Sequence, residues 1–306
     1  MLKQAENRGK IEGILLETNL KYGSFEKNGQ KVDTVGGEIT VEVDKEVNGA
    51  PVTYQIPVSL YAQKYKKDGK TLNPAYMSIE TVMKEYKSVA AVGREEADRI
   101  RITGATLKMN EFYTQEGRFV STPRIQASFV NKATGEFKPS CEFTIMFAIS
   151  SIKPMVDEQG VEFDPKKLEI TTIVPQYGGK VDIMKLHATN PNVVAAIEQY
   201  WETDKTFKAT VRLNFSSTTE KIIEQIGFGE PQERMKTTSV KELVVIAGSQ
   251  EPFEGDAAYD MDDLVQAMRE RKARLDQMKA DAGKKSAHKA PAQTSSLSNV
   301  GADLGF

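Results

Sequence analysis

Cysteine occurs once in this chain of 306 residues, as Cys141, so no intramolecular disulfide can form. Its setting, Cys141-Glu142-Phe143-Thr144-Ile145, reads as a buried strand position, which makes the thiol a packing group and not a nucleophile. Histidine occurs twice, at His187 and His288, and neither stands at a metal-ligand spacing from the cysteine or from the other. A Gly-rich phosphate loop ending in Gly-Lys-Ser/Thr is missing, and Gly227-Phe228-Gly229 is too short for a dinucleotide fingerprint. Neither a metal nor another cofactor is therefore expected, and an enzyme is disfavoured. No stretch approaches the roughly 18 uninterrupted apolar residues of a spanning helix. The first eight residues show no apolar run before a small-residue cleavage site, so the chain is expected to remain in the cytoplasm with no membrane partner. An excess of charge of one sign is lacking too. The formal net charge of −2 excludes a histone-like basic binder and leaves phosphate binding to a local patch.

What is present is a globular composition, 39% hydrophobic and 27% charged, in a chain long enough for two domains. One order of elements occurs twice: strands, a short amphipathic helix, then a charged β-ribbon. The first copy passes from Arg8–Leu15 through the helix Ser78–Tyr86 into Asp98–Gly104. The second passes from Leu168–Val174 through Asn192–Trp201 into Phe207–Leu213. That order is the one found in OB-folds, five-stranded partly open barrels whose face and loops bind oligonucleotides. A mainly β chain is expected, with two tandem OB-like barrels, a C-terminal helix and a disordered tail.

Strict alternation in Glu38-Ile39-Thr40-Val41-Glu42-Val43-Asp44 marks a half-buried strand within Gly36–Lys45, between strands over Lys10–Thr18 and Val52–Gln63. Asn48-Gly49 supplies the positive φ that a tight turn needs. Arg99–Asn110 and Pro123–Lys132 read as arms of a long ribbon with Gln115-Glu116-Gly117 near its tip, Arg124, Gln126 and Ser128 facing one way and Ile125, Ala127 and Phe129 the other. The apolar strand Phe143–Ile152 is expected to close the first barrel, giving a domain over 7–155. Acid-rich Pro154–Pro165 is expected as the linker. A second domain over 166–248 contains Phe207–Phe215, which alternates without error. A helix over 259–282 follows, with acids in its first turn, for self-association or domain packing. Residues 283–306 read as a flexible tail with an apolar tip.

Candidate binding residues mix aromatics with cations, as sequence-tolerant single-strand binding requires. Tyr61, Lys64, Tyr65, Lys66, Lys67 and Lys70 form one set at a strand end and loop, for which a merely solvated strand end is the competing reading. Lys108, Phe112, Tyr113, Arg118, Phe119 and Arg124 form a second on the long ribbon, where packing of the aromatics on the barrel competes. Arg99 and Arg101 lie on the same ribbon, and Tyr177, Lys180, Lys208 and Arg212 are candidates in the second domain. Trp201 reads as core. Paired acids such as Glu95-Glu96 and Asp262-Asp263 read as solvated helix starts and not as magnesium ligands.

The blocks Ser78–Ser88 with Ala97–Gly104, and Ile173-Val174-Pro175-Gln176-Tyr177-Gly178-Gly179-Lys180, resemble single-stranded-DNA-binding proteins of tailed bacteriophages and prophages. The resemblance spans most of residues 7 to 280. It implies a role in phage DNA replication or recombination, hence a host bacterial cytoplasm. The C-terminus also resembles the tails of bacterial single-stranded-DNA-binding proteins through Asp303, Leu304 and Phe306, and departs from them in Gly305 and in having one acid. That implies docking of replication or recombination proteins at the tip, with an inert end as the alternative. The expectation is a non-catalytic single-stranded DNA-binding protein. A structural or adaptor protein whose barrels bind protein partners is the second reading, because a fold hosts many functions.

Overall fold

A computed structural model describes residues 2–47, 49–114, 116–224 and 232–287; the side chains of 218–237 and 283–287 are outside that description. The described residues are mostly β, with 53% in strands and 20% in helices. Its first strands are β1 (Asn7–Lys27), β2 (Gln30–Val47) and β3 (Ala50–Gln63), followed by α1 (Pro74–Glu85) and the single turn α2 (Val89–Val92). Then come β4 (Arg99–Tyr113), β5 (Phe119–Ala127), the short β6 (Asn131–Lys132) and β7 (Ser140–Pro154). The second half runs β8 (Leu168–Pro175), β9 (Val181–Ala188), α3 (Pro191–Tyr200), β10 (Thr206–Glu224) and β11 (Gln232–Gly248). It ends in α4 (Met261–Ala287).

Hydrogen bonding closes two rings of the same topology. In the first the order is β1-β2-β3-β5-β4 and back to β1, with β3 and β5 parallel. In the second it is β7-β8-β9-β11-β10 and back to β7, with β9 and β11 parallel. In both, the helix sits between the third and fourth strands, so each ring is an OB-like barrel. Closure satisfies strand edges that would otherwise be left unpaired.

The repeat extends to the helix caps. Asn73 accepts from the Ala75 N–H with Pro74 in the first turn, and Asn190 accepts from the Asn192 N–H with Pro191 in the first turn. An Asn cap satisfies an orphan donor, and proline at the first helical position gives up an N–H that has no partner there. Each helix then buries one face, Tyr76, Ile79 and Val82 in α1, and Val194 and Ile197 in α3.

The strand Phe143–Ile152 does not close the first ring. It lies in β7, which hydrogen-bonds to β8 and β10 and opens the second ring, while β1 and β4 close the first. The segment Pro154–Pro165, expected as a linker, is accordingly the hairpin connection between β7 and β8, tied by Met155 N–H to Lys167 O and Asp157 N–H to Val161 O. Local alternation reveals a strand but not its partner. β1 and β2 also continue past the barrel as a ribbon to a turn at Asn28-Gly29, where φ is 52° and 73°. Much of that ribbon is exposed on both faces, so the apolar alternation that marks a strand fades along it.

The rings join through antiparallel pairing of β1 with β7, Asn7–Glu12 against Ile145–Ser140. Equivalent first strands meet antiparallel, and the other contacts are reciprocal: β4 reaches β9 as β10 reaches β3. α4 lies against β4 and β9, with Leu264 and Ala267 buried and Arg271 ion-paired to Glu111. Cys141 is buried, and desolvation pushes its thiol up to about 12, so it is not a thiolate at neutral pH. No helix among the described residues is long and apolar enough to cross a membrane.

Close to the ring junction, the buried Glu12 carboxylate takes two bonds from Arg101, Nε at 3.0 Å and Nη2 at 2.8 Å, and one from the Lys138 N–H at 3.1 Å. Lys10 Nζ stands 2.7 Å away. Chiefly the Arg101 guanidinium, opposed by desolvation, holds Glu12 at about 2 against an ordinary 4.5. A carboxyl depressed on folding contributes stability above its unfolded value and loses it as pH falls through the folded one. Arg101→Met is expected to cost about 1.5–3 kcal/mol in urea unfolding at pH 7. The gap to the parent protein should narrow as pH falls from 4.5 towards about 2.

Candidate nucleic-acid interface

On the outward surface of the first ring, β3, β5, β4 and the start of β1 enclose a cleft of about 580 Å³. Each strand sends alternate residues outward. β3 contributes Ser59 and Tyr61, β5 contributes Arg124 and Gln126, and β4 contributes Thr103 and Thr106 around Gly104. β1 brings Arg8, because Gly9 and Lys10 pair with β4. Tyr61 is 58% exposed and Phe129 is 48% exposed. Arg124 Nε donates to Ser59 Oγ at 3.0 Å, which orients the guanidinium along the sheet without neutralising it. Neither Arg8 nor Arg124 has a carboxylate partner among the described residues.

Beyond Tyr61 the chain turns into a basic loop. Its shape is set by Asp68, which accepts from the Thr71 hydroxyl and from the Lys70 and Thr71 N–H groups. The Thr71 hydroxyl, then the two amides, hold that carboxyl at about 2. Lys66 N–H to Thr71 O and Asn73 N–H to Lys64 O complete the hairpin. Lys64, Lys66, Lys67 and Lys70 have no ion pair among the described residues, and Lys64 Nζ sits 5.6 Å from the Tyr65 ring centroid. Of the first expected set, Tyr61 lines the cleft, and Lys64, Tyr65, Lys66, Lys67 and Lys70 lie on the loop that follows β3.

The β4–β5 ribbon divides the second set between two faces. Lys108 pairs across with Arg124, and Phe112 with Val120, on one face. Tyr113 and Phe119 are partners on the other, with ring centroids 5.3 Å apart. Arg118 is at the tip, where its N–H bonds Thr114. Arg99 covers the Phe137 ring at 4.9 Å. Arg101 is held by Glu12 and by Glu136 O, so its guanidinium is structural.

The second-ring candidates do not form one face. Tyr177, 82% exposed, and Lys180 share the β8–β9 turn. Lys208 lies 3.7 Å from Glu6 and over Phe253, and Arg212 donates to Asn214 Oδ1 at 2.9 Å. Asp303, Leu304 and Phe306 lie outside the described residues.

Arg8, Ser59 and Phe129 were missed by sequence reasoning. Nothing local marks Arg8, which enters through pairing nearly a hundred positions away in sequence. Phe129 follows the parity of Ile125 and Ala127, but β5 ends at Ala127 and the chain turns, placing the ring with Arg124 and Gln126. Among the described residues no group of three or more His, Cys, Asp or Glu is placed to hold a metal.

Residues 5–281 match the family described as YorF. No curated protein sequence matches the chain. In fold it is similar to the wild-type single-stranded DNA binding protein from Thermus aquaticus, with a TM-score of 0.50 at 11% identity, over 83% of this chain and 97% of that one. A deletion mutant of that protein is similar with a TM-score of 0.47 at 11% identity, over 82% and 97%.

Trp201, the sole tryptophan, is 7% exposed between Phe147 and Phe207, with Nε1 donating to Ser249 O at 2.9 Å. Its emission is expected to be that of a buried indole and to stay unchanged as oligo-dT is added. Quenching by the oligonucleotide would move the interface to the α3 end of the second ring.

Proposed function

The chain belongs to the YorF family, and we propose that it is a non-catalytic single-stranded DNA-binding protein that holds its strand on the first OB-like barrel. The observation that carries this reading is the composition of one cleft: two exposed aromatic rings, Tyr61 and Phe129, beside Arg8 and Arg124, which have no carboxylate partner among the described residues. Bases stack on exposed rings regardless of sequence, and guanidinium groups meet the phosphates between them. The lysine loop from Lys64 to Lys70 extends the track on one side, and Lys108, Phe112 and Arg118 on the ribbon extend it on the other. Each ring is taken as one folding unit, with the second supporting the first and adding contacts through Tyr177 and Lys180. The resemblance to phage and prophage proteins supports a setting in phage DNA replication or recombination in the host cytoplasm. There Asp303, Leu304 and Phe306 would dock partner proteins.

Fluorescence anisotropy of labelled oligo-dT and of its duplex counterpart, over a salt series, tests the proposal. Preference for the single strand is expected, with log affinity falling linearly in log salt because bound cations release counterions. Absence of binding to either at low salt would overturn it and favour a protein-binding adaptor. Tyr61→Ala is expected to weaken oligo-dT binding by about 1–3 kcal/mol with the salt slope unchanged. Replacing Lys64, Lys66 and Lys67 together by Ala should lower the slope by about 0.7 for each phosphate that is no longer neutralised. An unchanged slope would remove the loop from the track.

A further inference from the structure

A second cleft, of about 360 Å³, lies between the rings. Its volume is at the small end of the roughly 300–1,000 Å³ of ligand sites. One wall is the inner face of the β4–β5 ribbon, with Met109, Phe119 and Pro123; the other is Ile183 of β9 and Leu243 of β11. The ribbon is fastened there by Met109 N–H to Asp182 Oδ2 at 3.0 Å and by the Glu111–Arg271 ion pair. Two buried polar atoms of the lining residues, Arg271 Nε and His187 Nδ1, are without a hydrogen-bond partner among the described residues. A buried donor left unmade costs free energy, so such groups call for an explanation.

The charge of the lining selects the ligand. Lys185 is held by Glu169 at 3.0 Å and Arg271 by Glu111, and Glu242 also lines the cleft. Lys241 sits 5.9 Å from the Phe215 ring centroid. With most cations already paired, a phosphate gains little here, whereas a flat, neutral heterocycle fits the apolar walls. We propose that this cleft takes a nucleobase from the strand bound on the first barrel, its ring packed between Phe119 and Ile183. The inference rests on the single-strand reading above and gives the strand a second, base-binding stop. The ribbon is the shared divider: Lys108, Phe112 and Arg124 project from one face and Tyr113 and Phe119 from the other. A strand leaving the first cleft crosses the tip at Arg118 and enters the second.

The test compares labelled oligo-dT of about 8 nucleotides, within the span of one OB barrel, with one of about 30, for the full chain and two variants. Ile183→Trp fills the cleft from the second ring, and Ser121→Asp places a carboxylate in it from the exposed ribbon side. Both are expected to weaken the long oligonucleotide roughly 5- to 100-fold, as loss of one stacked base would, and to leave the short one unchanged. A variant with the parent's melting temperature and the parent's ratio of long to short affinity would overturn the inference. So would equal affinity of the parent for both lengths. If Ile183→Trp fails to fold, Ser121→Asp decides. Failure of the parent protein to bind either length would instead defeat the single-strand reading itself.

Discussion

Strand β1 hydrogen-bonds to three others, and both rings depend on how its two edges are shared. β4 takes one edge over Gly9–Ile14. The opposite edge is divided: β7 pairs with Asn7–Glu12, and β2 takes over from Ile14. The hand-over falls at Gly13, where a Cβ would stand 2.2 Å from Glu42 O, so only glycine lets β2 approach there. One continuous strand thereby closes the first barrel, docks the second, and carries Arg8 to the rim of the open cleft. Asn7 reinforces the arrangement by exchanging two bonds with the Leu107 backbone, at 2.5 and 3.0 Å.

Closure is brief in both rings: three residue pairs join β3 to β5, and one, His187 with Val244, joins β9 to β11. On a closed barrel every inward residue is committed to the core, and the outward side chains on β3, β4 and β5 are the ones free to vary in chemistry. In this chain they split into two kinds. Arg101 joins Glu12 and Lys10 in a network around the buried Glu12 carboxylate that ties the loop after β6 to the barrel. Tyr61, Arg124 and Gln126 stay open. Identical residue types thus serve different ends, decided by whether a carboxylate is within reach.

Much of the fold was legible locally. Alternation located β2 and Phe207–Phe215, a turn signal before Val52 located β3, helical spacing located α1 and α3, and the order of elements pointed to OB-like barrels. The Asn-Pro pairs at 73–74 and 190–191 were a further signal of the repeat, since both cap a helix. Less legible were the assignment of β7 and the length of the ribbons. An apolar run such as Phe143–Ile152 satisfies a core wherever it pairs, so its pattern is silent on the partner. For the site, Tyr61 and the lysine loop could be read because they adjoin in sequence. Phe129 was placed on the wrong face because parity holds only while the strand continues.

The sequence by itself determined which segments are strands and helices, which of their residues turn inward, and that cations and aromatics are interleaved at the end of β3 and on the β4–β5 ribbon. These properties follow from periods of 2 and 3.6 residues and from capping chemistry, all of which act over a few positions. Tertiary structure alone decided that β1 pairs with β4 and β7, that Arg8 and Phe129 meet Tyr61 and Arg124, and that Arg101 is neutralised by Glu12. Strand pairing is a choice among edges with equivalent backbone donors and acceptors, and it is settled by the packing of whole faces, which no short stretch of sequence contains.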